Sequence, residues 1–302
     1  MADPAASHPA PHPALAMLAR ETALREGPVP HELDGLEVPL DGWCMSGDGE
    51  SFVFRAATGL GYHYVKGHGV TAERPAGWDP DEDSLIRNGS VYAAIACING
   101  LYPIHASAVA WQGHVHAFTG PSGAGKSTLT AQLTRHGLPL FCDDTLLLDL
   151  TRPEAPVCLP GHKRLKLWPD ALELTGASAT GQIARRFEKF YAEPAGGSIK
   201  DVLPLASLTF LEVGEPARIE PLRGAEKLLR LQDDHYTTDL FLAASRADRA
   251  ARFAQLAALA RGLTISRFVR PRDPVRFAMD AALAERHVKG KPPVSPDREP
   301  SR

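Results

Sequence analysis

The stretch Gly120 to Asp149, "GPSGAGKSTLTAQLTRHGLPLFCDDTLLLD", decides how the rest of the chain is read. Its first eight residues, Gly120, Pro121, Ser122, Gly123, Ala124, Gly125, Lys126 and Ser127, fit the pattern G-x-x-x-x-G-K-[ST] without a gap. An apolar run precedes them, and "STLTAQLTRHG", helical in spacing and closed by a glycine, follows. Glycines let backbone N–H groups turn inward around phosphate oxygens, and the N-terminus of the following helix adds partial positive charge. Lys126 is the candidate to bridge the terminal phosphates and Ser127 to ligate Mg²⁺, with Thr128 joining the nucleotide-binding set. The plain alternative is a glycine-rich turn before a helix. The motif alone does not separate a kinase from an ATPase, a GTPase switch or a transporter motor.

One helix later, "LPLFCDDTLLLDL" reads as an apolar strand carrying Asp143 and Asp144. Successive side chains of a regular strand point to opposite faces, so two adjacent acids imply two tasks. One carboxylate can hold a metal that bridges phosphates, while the other accepts the proton of an incoming hydroxyl. The alternative is a strand end in which Asp144 caps a turn with Thr145.

Upstream, "LYPIHASAVAWQGHVHAFTG" is two apolar runs around Gln112-Gly113, a hairpin whose second strand feeds the glycine loop. His105 opens that hairpin, and a position near Asp143 would let it hydrogen-bond and orient that carboxylate. His114 and His116 alternate on one strand, but no third metal ligand is visible beside them.

Farther out, "ALAMLARETALRE" and "DSLIRNGSVYAAIACING" carry helical spacing, and "SFVFRAATGLGYHYVKG" reads as two strands around a turn. Beyond the aspartates come a loop and short helix in "PGHKRLKLWPDALELTG", a helix near "GQIARRFEKFY" and a strand "LASLTFLEV". A helix "ADRAARFAQLAALARG", a strand "LTISRFV" and a helix "PVRFAMDAALAERH" complete the alternation. Interleaved strands and helices imply a layered α/β domain. The expected division is a disordered tail over 1–13, a helix and β-hairpin region over 14–84, a phosphate-loop domain over 85–288 and a second tail over 289–302.

The 302 residues, 44% hydrophobic and 23% charged, have an ordinary globular composition, and a net charge of -3 gives no reason to expect nucleic acid as partner. Four cysteines without a C-x-x-C pair indicate neither a zinc cage nor a disulfide framework. No apolar run approaches the ~18 residues of a membrane span, and no secretory signal is visible, so the expected location is cytoplasmic.

The trio "HASAV" around His105, "GPSGAGKS" and "CDD" resembles the HPr kinase family, bacterial serine kinases whose catalytic domain is related to that of phosphoenolpyruvate carboxykinase. The resemblance covers about residues 85–215. It implies an α/β fold, a P-loop domain with a mixed sheet, joined to a smaller β-rich N-terminal region. It also implies ATP and Mg²⁺ as cofactors, Asp143 as general base assisted by His105, Asp144 and Ser127 as metal ligands, and Lys126 on the β- and γ-phosphates. Arg164 or Lys166, in a basic loop matching one in the family, is the candidate to neutralise charge on the moving phosphoryl group. The family's C-terminal signature has no counterpart here, so HPr is not implied as the acceptor. The chain looks more like the related kinases of biosynthetic clusters, including those that phosphorylate a lasso-peptide precursor. The resulting expectation is serine phosphorylation on a protein or ribosomally made peptide by a homo-oligomer. A small-metabolite kinase of the same fold and a non-catalytic ATP-binding sensor stand as alternatives.

Overall fold

A computed structural model of the chain describes residues 11–232 and 249–290. The expected tails lie outside the described residues except at 11–13 and 289–290.

The chain begins with α1 (Pro13–Glu21) and β1 (Leu24–Glu26), then a small hairpin of β2 (Glu32–Leu33) and β3 (Leu36–Glu37). Four strands follow, β4 (Gly42–Met45), β5 (Ser51–Arg55), β6 (Gly61–Val65) and β7 (Gly69–Glu73), giving a five-stranded sheet in the order β1-β7-β6-β5-β4. Phe52, Phe54, Tyr62 and Tyr64 alternate onto one face of it and meet Ile86, Val91, Ile95 and Ile98. Those aliphatic residues come from α2 (Pro80–Ile86), α3 (Tyr92–Ile98) and the π-helical turn at Arg87–Val91 that joins them. Asp79 caps α2 by accepting from the Asp81 N–H, and Pro80 occupies the first turn, where its missing N–H costs nothing. The opposite side of α3 packs through Ala96 onto Leu147 and Leu159 of the next layer. Residue 84, the expected boundary, falls inside α2, and α3 after it serves two cores.

The larger unit is built on an eight-stranded mixed sheet. Its first hairpin joins β8 (Tyr102–Trp111) to β9 (His114–Thr119), with Gln112 and Gly113 both at positive φ, as a two-residue turn matched to strand twist requires. After α4 (Lys126–Arg135) come β10 (Leu140–Cys142), β11 (Thr145–Asp149) and β12 (Val157–Leu159). A separate three-stranded sheet then holds β13 (Leu165–Leu167), β14 (Ala179–Gln182) and β15 (Phe190–Ala192), with α5 (Pro169–Thr175) between its first two strands. The segment expected as a helix near "GQIARRFEKFY" instead supplies parts of β14 and β15. Phe190 and Tyr191 pair with Leu167 and Lys166, and this cross-strand packing overrides the local helical spacing.

The remaining described elements are β16 (Leu203–Val213), β17 (Arg218–Pro221), α6 (Ala225–Gln232), α7 (Arg249–Gly262), β18 (Thr264–Arg270) and α8 (Phe277–Lys289). Strands β9, β16 and β18 run parallel, with Thr119 opposite Phe210 and Arg270 opposite Val213. Their carboxyl ends therefore finish together, where α/β sheets open their ligand crevices. One sheet face buries Phe118, Leu211 and Phe268 against Leu129 and Leu133 of α4 and Ala284 of α8. The other buries Val115, Leu208 and Ile265 against Leu231 of α6 and Leu259 of α7. Phe118 and Phe268 are at most 1% exposed, and each such burial contributes about 2–3 kcal/mol. Among the described residues no helix is long and apolar enough to cross a membrane.

Candidate functional site

The glycine loop sits between β9 and α4, at the carboxyl end of the parallel strands. Gly120, Gly123 and Gly125 have φ of +143°, +76° and +85°, the conformations that aim successive N–H groups at one point and that side chains resist. A Cβ on Gly125 would lie 2.5 Å from Nη2 of Arg270, and one on Gly120 would lie 2.9 Å from the Leu211 carbonyl oxygen. Lys126, the first residue of α4, folds back so that Nζ donates to the carbonyls of Gly120 at 2.8 Å and Pro121 at 3.2 Å.

The two aspartates occupy a break between strands rather than a regular strand. β10 ends at Cys142, β11 begins at Thr145, and Asp144 turns the chain with φ of +80°. Aspartate tolerates this left-handed conformation better than most residues. Strict alternation is thereby lost, and both carboxylates reach Lys166. Its backbone N–H donates to Oδ2 of Asp143 and its ammonium to Oδ2 of Asp144, at 2.8 and 2.7 Å.

The pairing of the acids runs opposite to the expected one. Asp143, 1% exposed, accepts from the Ser127 hydroxyl at 2.8 Å. His105 stands instead beside Asp144, with Nδ1 3.6 Å from Oδ1. The register explains this: Thr145, next to Asp144, lies directly opposite His105 on β8. Burial by itself would raise the Asp144 pKa, but the Lys166 ammonium and the His105 ring outweigh it and bring the group to about 2.

Of the two candidate cations in the basic loop, Lys166 is at the acids and Arg164 is elsewhere. The Arg164 guanidinium lies 3.9 Å above the Tyr191 ring, on which His162 also stacks. Gly161 brings this loop against the aspartates, since a Cβ there would sit 2.8 Å from Cys142 Cβ and 2.9 Å from the Thr145 carbonyl oxygen. His116 is buried against the Ser207 hydroxyl, whereas the His114 ring donates to the Gln112 carbonyl, so these hydrogen bonds take the two rings to different partners.

Three arginines absent from the sequence expectations line a cavity beside the loop. A cavity of about 530 Å³ extends from residues 119–122 and His105 to Arg230, Arg270 and Arg272. Arg270 ends β18 and donates to the Ala124 carbonyl at 3.0 Å, clamping the loop from outside. The available signal was positional: "RFVRPR" closes a strand within an α/β alternation, and such strand ends gather at one crevice.

No protein-family model matches the chain, and no curated protein matches it. Among solved structures, the chain is similar to the Hpr(Ser) kinase/phosphatase from Coxiella burnetii, at 12% identity over 63% of this chain and 97% of that one, with a TM-score of 0.32. At that score the likeness bears no weight on the site, whose reading rests on the side chains themselves.

Proposed function

We propose that the chain is an ATP-dependent phosphotransferase that moves the γ-phosphoryl group to a hydroxyl, serine of a protein or peptide being the preferred acceptor. The observation that carries this reading is the division of labour at the acid pair: Asp143 accepts from the phosphate-loop serine, while its neighbour Asp144 is ion-paired to Lys166 with His105 3.6 Å away. A carboxylate oriented apart from the one beside the phosphate-loop serine is what transfer to an alcohol uses to receive the hydroxyl proton.

The residues present fit a nucleotide phosphate with Mg²⁺. The left-handed glycines leave room that side chains would fill, and Ser127 with Asp143 forms the hydroxyl and carboxylate pair that Mg²⁺ accepts alongside phosphate oxygens and water. Bound there, Mg²⁺ would neutralise charge on the β- and γ-phosphates. Lys126 would exchange its loop carbonyls for phosphate oxygens. Asp144, ionised at neutral pH, would accept a hydrogen bond from the acceptor hydroxyl and orient it. As that oxygen bonds to the γ-phosphorus and the bond to ADP breaks, its proton passes to Asp144. A weakly basic carboxylate suits a loose transition state in which the proton leaves late. Lys166 holds the carboxylate in place and places positive charge beside the group in flight.

Radiolabelled ATP with purified chain and cell lysate tests the reading directly. Label on an acceptor is expected. Asp144→Asn should keep ADP binding and lower transfer about 10²–10⁴-fold, while Asp143→Asn should raise the Mg²⁺ requirement about 10-fold or more. Tight ATP binding with no labelled product from any lysate would replace the kinase reading with that of a sensor.

A further inference from the structure

The cavity beyond the phosphate loop is more cationic than its walls explain. Among the described residues it collects three guanidiniums, Arg230, Arg270 and Arg272, and one carboxylate, Glu212, which is ion-paired to Arg230. Arg270 and Arg272 stand two residues apart at one strand end, separated by Pro271, whose ring fixes φ. Arg270 braces the loop at Ala124; burial disfavours its charge, the Asp280 carboxylate opposes that, and repulsion from Arg272 adds to it. Arg272 is exposed and makes no hydrogen bond or ion pair among the described residues, with Nη2 4.0 Å from where a Cβ on Gly123 would lie. Like charges held this close repel unless an anion lies between them, and guanidiniums recognise carboxylate and phosphate by paired N–H donors.

The position of the cavity relates this charge to the acceptor. It borders the phosphate loop at Gly120, Pro121, Ser122 and Ala124, and neither Ser127 nor either aspartate lines it. His105 does line it and also touches Asp144. His105 is thus the residue common to the cavity and the acid pair, and a molecule whose hydroxyl rested on Asp144 would reach the arginines by passing it.

We propose that this cavity binds an oxyanion carried by the acceptor itself, so that the preferred substrate is a serine peptide with a carboxylate or phosphate beside the reactive hydroxyl. This rests on the phosphotransferase reading and adds its substrate class. Phe210 and Val213 supply apolar wall for the peptide stem, and Arg272 acts as the specificity-determining cation.

The test uses fluorescein-labelled peptides in which one serine is followed by two aspartates, by two asparagines or by a phosphoserine. Binding to the full chain, with Mg²⁺ and a non-hydrolysable ATP analogue, is read by anisotropy. At least one anionic peptide is expected to bind about tenfold or more tighter than the asparagine peptide, and the stronger of the two identifies carboxylate or phosphate as the source. Arg272→Gln should erase the preference and Arg272→Lys retain part of it, with ADP affinity changed less than about twofold. Equal binding of the charged and neutral peptides, or no binding of any, overturns the proposal. So does an Arg272→Gln chain that loses ADP affinity while keeping its peptide preference, which would assign the arginine to the nucleotide. If the ATP analogue fails to bind, the phosphotransferase reading fails, and the peptide comparison on the chain without nucleotide still decides the oxyanion site.

Discussion

Replacing Asp144 with asparagine probes the ion pair on which the acid site is organised. In the folded chain its carboxyl is held near about 2, against an ordinary value of 3.8. That difference corresponds to about 2.5 kcal/mol of stabilisation when the group is ionised, a ceiling because the side chain is 23% exposed. A depressed folded-state value means the stabilisation is fully present above the unfolded value and is lost as pH falls toward the folded one. Between about pH 5.5 and pH 3, roughly half should disappear, or about 1 kcal/mol. Urea unfolding at constant ionic strength across that range measures it. The stability gap between the natural chain and Asp144→Asn should narrow by about 1 kcal/mol as pH falls, because the variant has no proton to take up at this site. Parallel pH profiles for the two proteins would mean that Lys166 and His105 do not hold the carboxylate in solution.

Gly125→Ala combines a φ of +85° with a contact of 2.5 Å to Arg270, so it should cost about 1–2 kcal/mol in thermal unfolding and weaken ADP binding in calorimetry. Gly161→Ala places a Cβ 2.8 Å from Cys142 Cβ and 2.9 Å from the Thr145 carbonyl oxygen, and a cost of about 1–3 kcal/mol in urea should accompany a larger loss of phosphotransfer as the acids are displaced. Phe52→Ala removes a fully buried ring from the core shared by the N-terminal sheet and the α2–α3 helix, and urea unfolding should register about 3–5 kcal/mol.

The phosphate loop and its hairpin were legible because their determinants are local: glycines at fixed offsets, a two-residue turn at Gln112-Gly113, an apolar strand on one side and a helix on the other. The acid pair was legible in composition but not in pairing. The positive φ of Asp144 breaks the alternation from which opposite faces were inferred, and the placement of His105 follows from a cross-strand register that no single segment encodes. The arginine cavity lay beyond local reading altogether, since Arg270 meets Ala124 across 146 residues of chain through the parallel pairing of three strands. The segment 181–191 failed for a related reason, its strand identity coming from partners on β13 rather than from its own sequence.

Lys166 links these layers of determination. Its N–H fixes the carboxylate bonded to the phosphate-loop serine, and its ammonium fixes the carboxylate beside His105, so one residue sets the separation between the two acids. Lys166 in turn is held by pairing with Tyr191, the ring that carries Arg164 and His162. The small sheet of β13, β15 and β14 is thus a support for the acid pair, and a slip of one residue in its register would turn the Lys166 side chain to the other face and uncouple both carboxylates. The two consecutive acids keep separate partners only while that strand stays in register, so the basic loop, as much as the acids themselves, sets the geometry of the pair.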